Sequence, residues 1–307
     1  MAHVHRRAFL GGSAAIAVGL DSVGAQAPVT NINTGWGAMT RSDRDAAYNV
    51  NAAVSDSAEL IERRALRSAM LRSQRSKYLD MAYGPAERNK WDLFPGEKSN
   101  APCLVFIHGG YWQGGSREGN SSLVEGVLAR GWSAALPGYT LAPAATLTQI
   151  VREVRSSLDW LAANGGKYGI AGPIVISGHS AGGHLAALML DHPSVTVGLA
   201  SAGLFELGPI RDTYLNERLK LTDEEIAGLS PLRLPAVRKP LAITYGTAEL
   251  PALVCNSREY HAHRAQFHCP GALIPVPNAN HFTILEELRS SSGILTRAVM
   301  RLMEDAA

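Results

Sequence analysis

The sequence is poor in cysteine and in aromatic residues, and it has no excess of charge of either sign. Only 3 of its 307 residues are cysteine and 7% are aromatic. So few cysteines, without a CxxC pair, argue against a disulfide-built scaffold and against a metal site. The formal net charge is +2 and no basic stripe stands out, so nucleic acid is not expected as a partner.

Long hydrophobic runs are also missing. The apolar stretch from Ala8 to Leu20 is too short for a bilayer core of ~30 Å, which needs about 20 residues. It follows Arg6-Arg7, with Phe9-Leu10 in the pattern of twin-arginine signals, and it ends near an A-x-A cleavage pattern at Ala25–Ala27. Residues 1–27 are therefore predicted to be a signal peptide read by the twin-arginine export machinery, with the mature protein in the periplasm. The alternatives are a helical N-terminal tail and an uncleaved membrane anchor.

Apolar segments of strand length alternate with segments of helical period along most of the chain. Unbroken apolar strands separated by helices are typical of a mostly parallel sheet covered by helices on both faces. We predict one α/β domain over residues 28–307, with a small helical cap from about 43–77 and 203–233. The predicted strands are 79–83, 91–94, 103–107, 132–136, 174–177, 195–200, 241–245 and 272–276. The predicted helices between them are 119–130, 147–164, 181–191, 253–268 and 284–303.

The strongest chemical signal is the pentapeptide Gly178-His179-Ser180-Ala181-Gly182, which fits G-x-S-x-G. It follows the apolar run IVIS and precedes the apolar helix pattern GGHLAALML. A tight strand-to-helix turn of this kind holds a serine hydroxyl at the tip of a sheet and at a helix N-terminus. Ser180 is therefore the predicted nucleophile, and the alternative is a glycine-rich turn with a helix-capping serine.

A second glycine-rich turn, His108-Gly109-Gly110-Tyr111-Trp112, ends the apolar strand CLVFI. Acyl transfer needs backbone N–H donors aimed at a developing oxyanion, and glycines let the chain approach it closely. The N–H groups of Gly110 or Tyr111, together with that of Ala181, are the predicted oxyanion hole. The alternative is a β-turn that is merely rich in glycine.

A base and an acid should follow the serine, in the order Ser, acid, His. Of ten histidines, His281 is best placed, on a loop after the last predicted strand. His179 falls inside the serine motif and is expected to face away from the position of the base. On helical patterns fall His184, His192, His261, His263 and His268. Glu249 follows the strand LAITY and is the predicted acid, which would orient the base and stabilise its protonated form. Glu206 and Asp212 are rivals that fall one strand too early.

The motifs HGGYW at 108–112 and GHSAGG at 178–183 resemble the arylformamidase (kynurenine formamidase) branch of α/β hydrolases, which is related to hormone-sensitive-lipase-like esterases. The resemblance extends from about residue 40 to the end of the chain. Its further segments are Tyr83-Gly84, Trp91–Phe94, Tyr139–Pro143, Ser201–Glu206, Tyr214–Glu217 and Asn280–Leu285.

The resemblance implies an α/β-hydrolase fold and a triad of Ser180, Glu249 and His281. It also implies that Tyr111 and Trp112 lie near the substrate, where an aromatic pair would suit an aryl group. The expected reaction is hydrolysis of a small carboxylic ester or an aryl formamide through an acyl-enzyme, without a cofactor. The alternative from another class is a catalytically inactive hydrolase fold used for binding.

Overall fold

An eight-stranded mixed sheet forms the centre of the structure, a computed structural model that describes Met1 and residues 36–306. Apart from Met1, the predicted signal peptide lies outside the described residues. From Met39 onward the described residues group into one compact unit, and the described part before it is the 3₁₀ turn Trp36–Ala38. The strands are β1 Met81–Ala82, β2 Lys90–Phe94, β3 Cys103–Ile107, β4 Ser133–Pro137, β5 Ile174–His179, β6 Val195–Ser201, β7 Leu241–Gly246 and β8 Leu273–Val276.

The order across the sheet is β1-β2-β4-β3-β5-β6-β7-β8. The pairs β1–β2 and β2–β4 are antiparallel, whereas every other pair is parallel. Strands β3, β4, β5 and β7 are buried along their whole length. This burial on both faces is the reason that they read as unbroken apolar runs rather than as alternating ones.

Twelve α-helices surround the sheet in the described part of the chain. They are α1 Arg41–Ala47, α2 Val50–Ala53, α3 Ser57–Gln74, α4 Glu125–Leu128, α5 Leu147–Asn164, α6 Ala181–Met189, α7 Gly208–Arg211, α8 Asn216–Leu219, α9 Asp223–Leu229, α10 Pro251–Gln266, α11 Glu286–Arg289 and α12 Ile294–Asp305. Helix α6 packs on β5 and β6, and α12 packs on β6 and β7. The sheet with its covering helices confirms the predicted fold class, that of the α/β hydrolases.

The helical boundaries differ from the prediction at three places. The segment 43–77 contains three helices, because Asn49 accepts a hydrogen bond from the N–H of Ala52 and starts α2. The segment 119–130 is a 3₁₀ turn, Glu118–Val124, followed by the four-residue α4. The segment 284–303 is broken between α11 and α12, where three serines and Gly293 stand. In each case local polar side chains or glycine outweigh the hydrophobic period on which the prediction relied.

All three cysteines are free. Cys255 is exposed on α10, whereas Cys269 lies buried beyond the end of this helix, with its thiol near the carbonyl oxygens of Ala236 and Phe267. The helical rise from Cys255 to Gln266 alone is about 16 Å at 1.5 Å per residue. A disulfide needs Cα atoms within roughly 7 Å, and Cys255 and Cys269 do not form one.

No helix among residues 36–306 is both long enough and apolar enough to cross a membrane. Within the same range, no three His, Cys, Asp or Glu side chains are grouped as a metal ion would require.

Candidate active site

Ser180 lies in a sharp turn between β5 and α6, which we call the elbow (residues 178–182). Its backbone has φ 57° and ψ −122°, a strained conformation for a residue with a side chain. Its N–H donates to the carbonyl oxygen of Ser201 on β6 at 2.9 Å, and its carbonyl oxygen accepts from the N–H of His184 at 3.1 Å. These two hydrogen bonds, one to β6 and one from α6, therefore hold the elbow in place.

The glycines of the elbow are required by close packing against β3. A Cβ on Gly182 would overlap the carbonyl oxygen of Ile107, and a Cβ on Gly178 would overlap that of Gly182. A Cβ on Gly109 would lie 3.0 Å from that of Ser180. The elbow is thus in direct contact with the glycine-rich turn at residues 108–112, which we call the HGG turn. About 70 residues separate the two turns in the sequence.

His281 and Glu249 meet next to this turn. Glu249 follows β7 and His281 follows β8, so both lie at the same edge of the sheet as Ser180. His281 Nδ1 is 2.8 Å from Glu249 Oε2, and the two side chains are only 5% and 1% exposed. The second carboxylate oxygen, Oε1, accepts from the N–H of Leu250 at 3.1 Å. A carboxylate at Nδ1 fixes the proton there and leaves Nε2 as the basic nitrogen.

The rival carboxylates are placed elsewhere. Glu206 Oε1 is 2.7 Å from Arg233 Nη2, and Arg233 Nε donates to Glu206 Oε2 at 2.9 Å. Asp212 Oδ1 lies 3.9 Å from Nε of Arg211. Neither carboxylate contacts His281 in the part of the chain that the structure describes.

His179 differs from its expected position, which was to point away from the base. Its ring lies against that of His281, with centroids 4.4 Å apart and planes inclined by 48°. Burial, with smaller effects from the neighbouring His281 and Arg64, lowers the pKa of His179 well below its usual value. His179 is therefore a neutral side chain that packs against one face of His281.

The HGG turn has three consecutive residues in the left-handed region, Gly110 at φ 109°, Tyr111 at φ 50° and Trp112 at φ 56°. The N–H groups of Gln113 and Gly114 both donate to the carbonyl oxygen of Gly110 at 2.9 Å. Among the described residues, the N–H groups of Gly110, Tyr111 and Ala181 donate to no backbone carbonyl oxygen. The three N–H groups named as the oxyanion hole are therefore free to donate to a ligand.

Two side chains from outside hold the HGG turn. The Tyr139 hydroxyl donates to the carbonyl oxygen of His108 at 2.9 Å, and the two rings stack with centroids 4.3 Å apart. Arg88 Nη2 donates to the carbonyl oxygen of Gly115 at 2.8 Å. Burial lowers the pKa of His108 to about 4, so this ring is neutral near pH 7.

Tyr111 and Trp112, predicted together beside the substrate, lie in different surroundings. Tyr111 borders the cavity described below, and its hydroxyl donates to the carbonyl oxygen of Tyr48 at 2.6 Å. Trp112 is fully buried with its ring edge-on to His184, 5.0 Å between centroids, and it is not part of the cavity wall. The two consecutive side chains therefore have different environments: Tyr111 lies at the cavity and Trp112 lies in the core against His184.

A cavity of about 410 Å³ opens over Ser180. His281 and His179 form part of its wall, but the Ser180 hydroxyl makes no hydrogen bond among the described residues. The wall residues come from the elbow, the HGG turn, the His281 loop and the two segments that were predicted as a cap. They are Val50, Asn51, Ile61, Arg64, Gly109, Gly110, Tyr111, Gln113, Gly114, Gly115, Asn120, His179, Ser180, Tyr214, Leu215, His281 and Phe282.

Arg64 is the charged wall residue that the sequence reasoning missed. It is one of several arginines on α3, and no local sequence pattern distinguishes it from Arg63 or Arg67. Only the packing of α3 against the rest of the molecule brings this one arginine to the cavity.

Known proteins resemble this chain over most of its length. The family model BD-FAE matches residues 92–193. The kynurenine formamidase of Danio rerio is 27% identical over 248 residues, 76% of this chain and 84% of that protein. The kynurenine formamidase of Salmo salar is 29% identical over 242 residues, 73% and 81% of the respective chains.

Solved structures agree with this. A Silicibacter protein provisionally described as a thioesterase superposes with a TM-score of 0.76 at 27% identity, covering 83% of this chain and 98% of the other. Esterase LipW from Mycobacterium marinum shares the fold, with a TM-score of 0.67 at 15% identity over 84% and 91% of the chains.

The sheet, the elbow and these similarities define the class: the chain has the α/β-hydrolase fold. Within this class it is similar to kynurenine formamidases and esterases, as the resemblance in its sequence implied.

Proposed function

We propose that the protein is a serine hydrolase that cleaves a small carboxylic ester or an aryl formamide. The observation that carries the proposal is the 2.8 Å contact between Glu249 Oε2 and Nδ1 of His281, which lines the same cavity as Ser180. Similarity to kynurenine formamidases supports the formamide and similarity to esterases supports the ester.

In the first half of the proposed reaction, Nε2 of His281 takes the proton of the Ser180 hydroxyl as its oxygen attacks the substrate carbonyl. Glu249 stabilises the imidazolium that forms. Catalytic hydrogen bonds are often long or absent before substrate binds, so the unbonded Ser180 hydroxyl is compatible with this step.

The oxygen of the tetrahedral intermediate is proposed to accept hydrogen bonds from the N–H of Ala181 and from Gly110 or Tyr111. These donors are fixed before the substrate arrives, so the charge is stabilised without reorganisation. Collapse of the intermediate breaks the bond to the leaving alkoxide or amine, which takes the proton from His281. Water, deprotonated by His281, then attacks the acyl-Ser180 and releases the carboxylic acid.

Ester and formamide substrates can be compared directly. We expect the purified protein to hydrolyse both 4-nitrophenyl acetate and N-formylkynurenine, because the same serine chemistry serves both bonds. The ratio of the two kcat/KM values identifies the preferred bond. Hydrolysis of neither, under conditions where a known esterase is active, would reject the proposed function.

We further propose that the protein is exported through the twin-arginine pathway. The support is the Arg6-Arg7 sequence, the short apolar run and the A-x-A pattern that ends it. N-terminal sequencing of the protein from the periplasmic fraction should begin at Pro28. A start at Met1 or Ala2 in the cytoplasmic fraction would contradict export.

A further inference from the structure

Arg64 places a positive charge on the wall of the cavity that contains Ser180. Of the residues that form this wall, Arg64 is the only lysine, arginine, aspartate or glutamate in the part of the chain described. Its side chain is half-buried, and burial lowers its pKa to about 10, so it remains charged near pH 7. The cavity therefore has a permanent positive charge without a permanent negative one.

This charge has no carboxylate partner. Among residues 36–306, no Asp or Glu oxygen lies within 4 Å of the Arg64 guanidinium. The neighbouring Glu286 is already engaged by Arg67 at 3.2 Å and by Arg289 at 2.7 Å. By contrast, Arg63, the preceding residue, is half exposed and pairs with Glu59 at 3.8 Å. Glu286 acts on Arg64 only from beyond this distance, where its charge raises the pKa of Arg64. A half-buried cation without a carboxylate in contact is unfavourable, so an anion that enters the cavity would gain by binding it.

The hydrogen bonds of Arg64 are also weak. Nη1 donates to Asn120 Oδ1 at 3.4 Å and Nη2 to the carbonyl oxygen of Phe282 at 3.5 Å, both beyond the usual 2.7–3.2 Å range. Nε is buried without a hydrogen-bond partner. The guanidinium thus has donor capacity that the protein itself does not use.

The position of Arg64 relates this capacity to the reaction site. Phe282, which accepts from Nη2, is the residue next to His281, the proposed base. Arg64 and Ser180 line the same cavity, so one small molecule can contact both side chains.

We propose that Arg64 selects substrates that carry a carboxylate, by pairing with it inside the cavity. The inference rests on the proposed function and adds to it the charge of the substrate. Arginine suits this role because its planar fork of N–H donors matches the two oxygens of a carboxylate.

The test compares pairs of esters in which one member carries a carboxylate and the other does not. Mono-4-nitrophenyl succinate against 4-nitrophenyl butyrate places the carboxylate on the acyl side. 3-Acetoxybenzoate against phenyl acetate places it on the leaving group. The wild-type protein should give a higher kcat/KM for the charged member of at least one pair.

In Arg64→Gln, the ratio of kcat/KM for the charged ester over the neutral one should fall by about 10- to 100-fold, the usual effect of a charged hydrogen bond. Arg64→Lys should retain part of the preference because it keeps the charge. Arg63→Gln, which removes an arginine one residue away but outside the cavity, should leave the ratio unchanged.

Two results would overturn the inference. One is an unchanged ratio in Arg64→Gln. The other is an equal loss on charged and neutral esters, which would mean that Arg64 only holds α3 against the His281 loop. A wild-type protein that cleaves none of the four esters would instead reject the proposed function itself.

Discussion

Ser180→Ala should lower kcat by roughly 10⁴- to 10⁶-fold on any ester or formamide that the protein cleaves. The reason is that the substitution removes the only atom that forms the covalent bond to the acyl group. The fold should persist, because the Ser180 hydroxyl makes no hydrogen bond among residues 36–306. Initial rates with 4-nitrophenyl acetate, together with the unfolding temperature, measure both effects.

Ser177→Ala is the matched control for this experiment. Ser177 lies three residues earlier on β5, and its hydroxyl is buried without a hydrogen-bond partner. Its removal should leave the rate close to that of the wild type. A fluorophosphonate probe should label the wild type and Ser177→Ala but not Ser180→Ala.

Three outcomes of the labelling experiment separate the alternatives. Labelling of Ser180→Ala, or a rate within about tenfold of the wild type, would place the nucleophile elsewhere. A wild-type protein that is neither labelled nor active would favour a hydrolase fold used only for binding. Labelling confined to proteins that contain Ser180 would support the acyl-enzyme mechanism.

Glu249→Gln should lower kcat by about 10²- to 10⁴-fold with little change in fold. The Leu250 N–H donates to Oε1 and needs an acceptor there, so the amide oxygen of Gln will take the position of Oε1. The amide NH₂ group then faces Nδ1 of His281. This arrangement favours the proton on Nε2, where His281 cannot accept one from Ser180.

Glu206→Gln tests whether this effect is specific. It makes the same chemical change at the rival carboxylate, which pairs with Arg233 rather than with a histidine. Its kcat should stay within a few-fold of the wild type, because exposed or half-exposed ion pairs contribute about 0–1 kcal/mol. A large loss in Glu206→Gln with a small one in Glu249→Gln would reverse the assignment of the acid.

Short-range features of the sequence gave reliable predictions. All eight strands were found close to their observed bounds. The signal is clearest for the buried parallel strands β3, β5 and β7, which are apolar runs bounded by glycine or polar residues. Helix α5 was predicted at about 147–164, which is its observed range. In the structure Thr146 and Gln149 form a capping box at its start. The breaks in 43–77 and in 284–303 were missed because the hydrophobic period continues across them.

The sequence by itself determined the fold class and the order of Ser180, Glu249 and His281, which follow β5, β7 and β8. These features depend on residues near each other in the chain, on hydrophobic period and on the glycines of two turns. The tertiary structure decided that His179 packs on His281, that Trp112 lies outside the cavity wall and that Arg64 forms part of it. Arg64 contacts Phe282 across 218 residues, and no local pattern encodes a contact that only the packing of α3 creates.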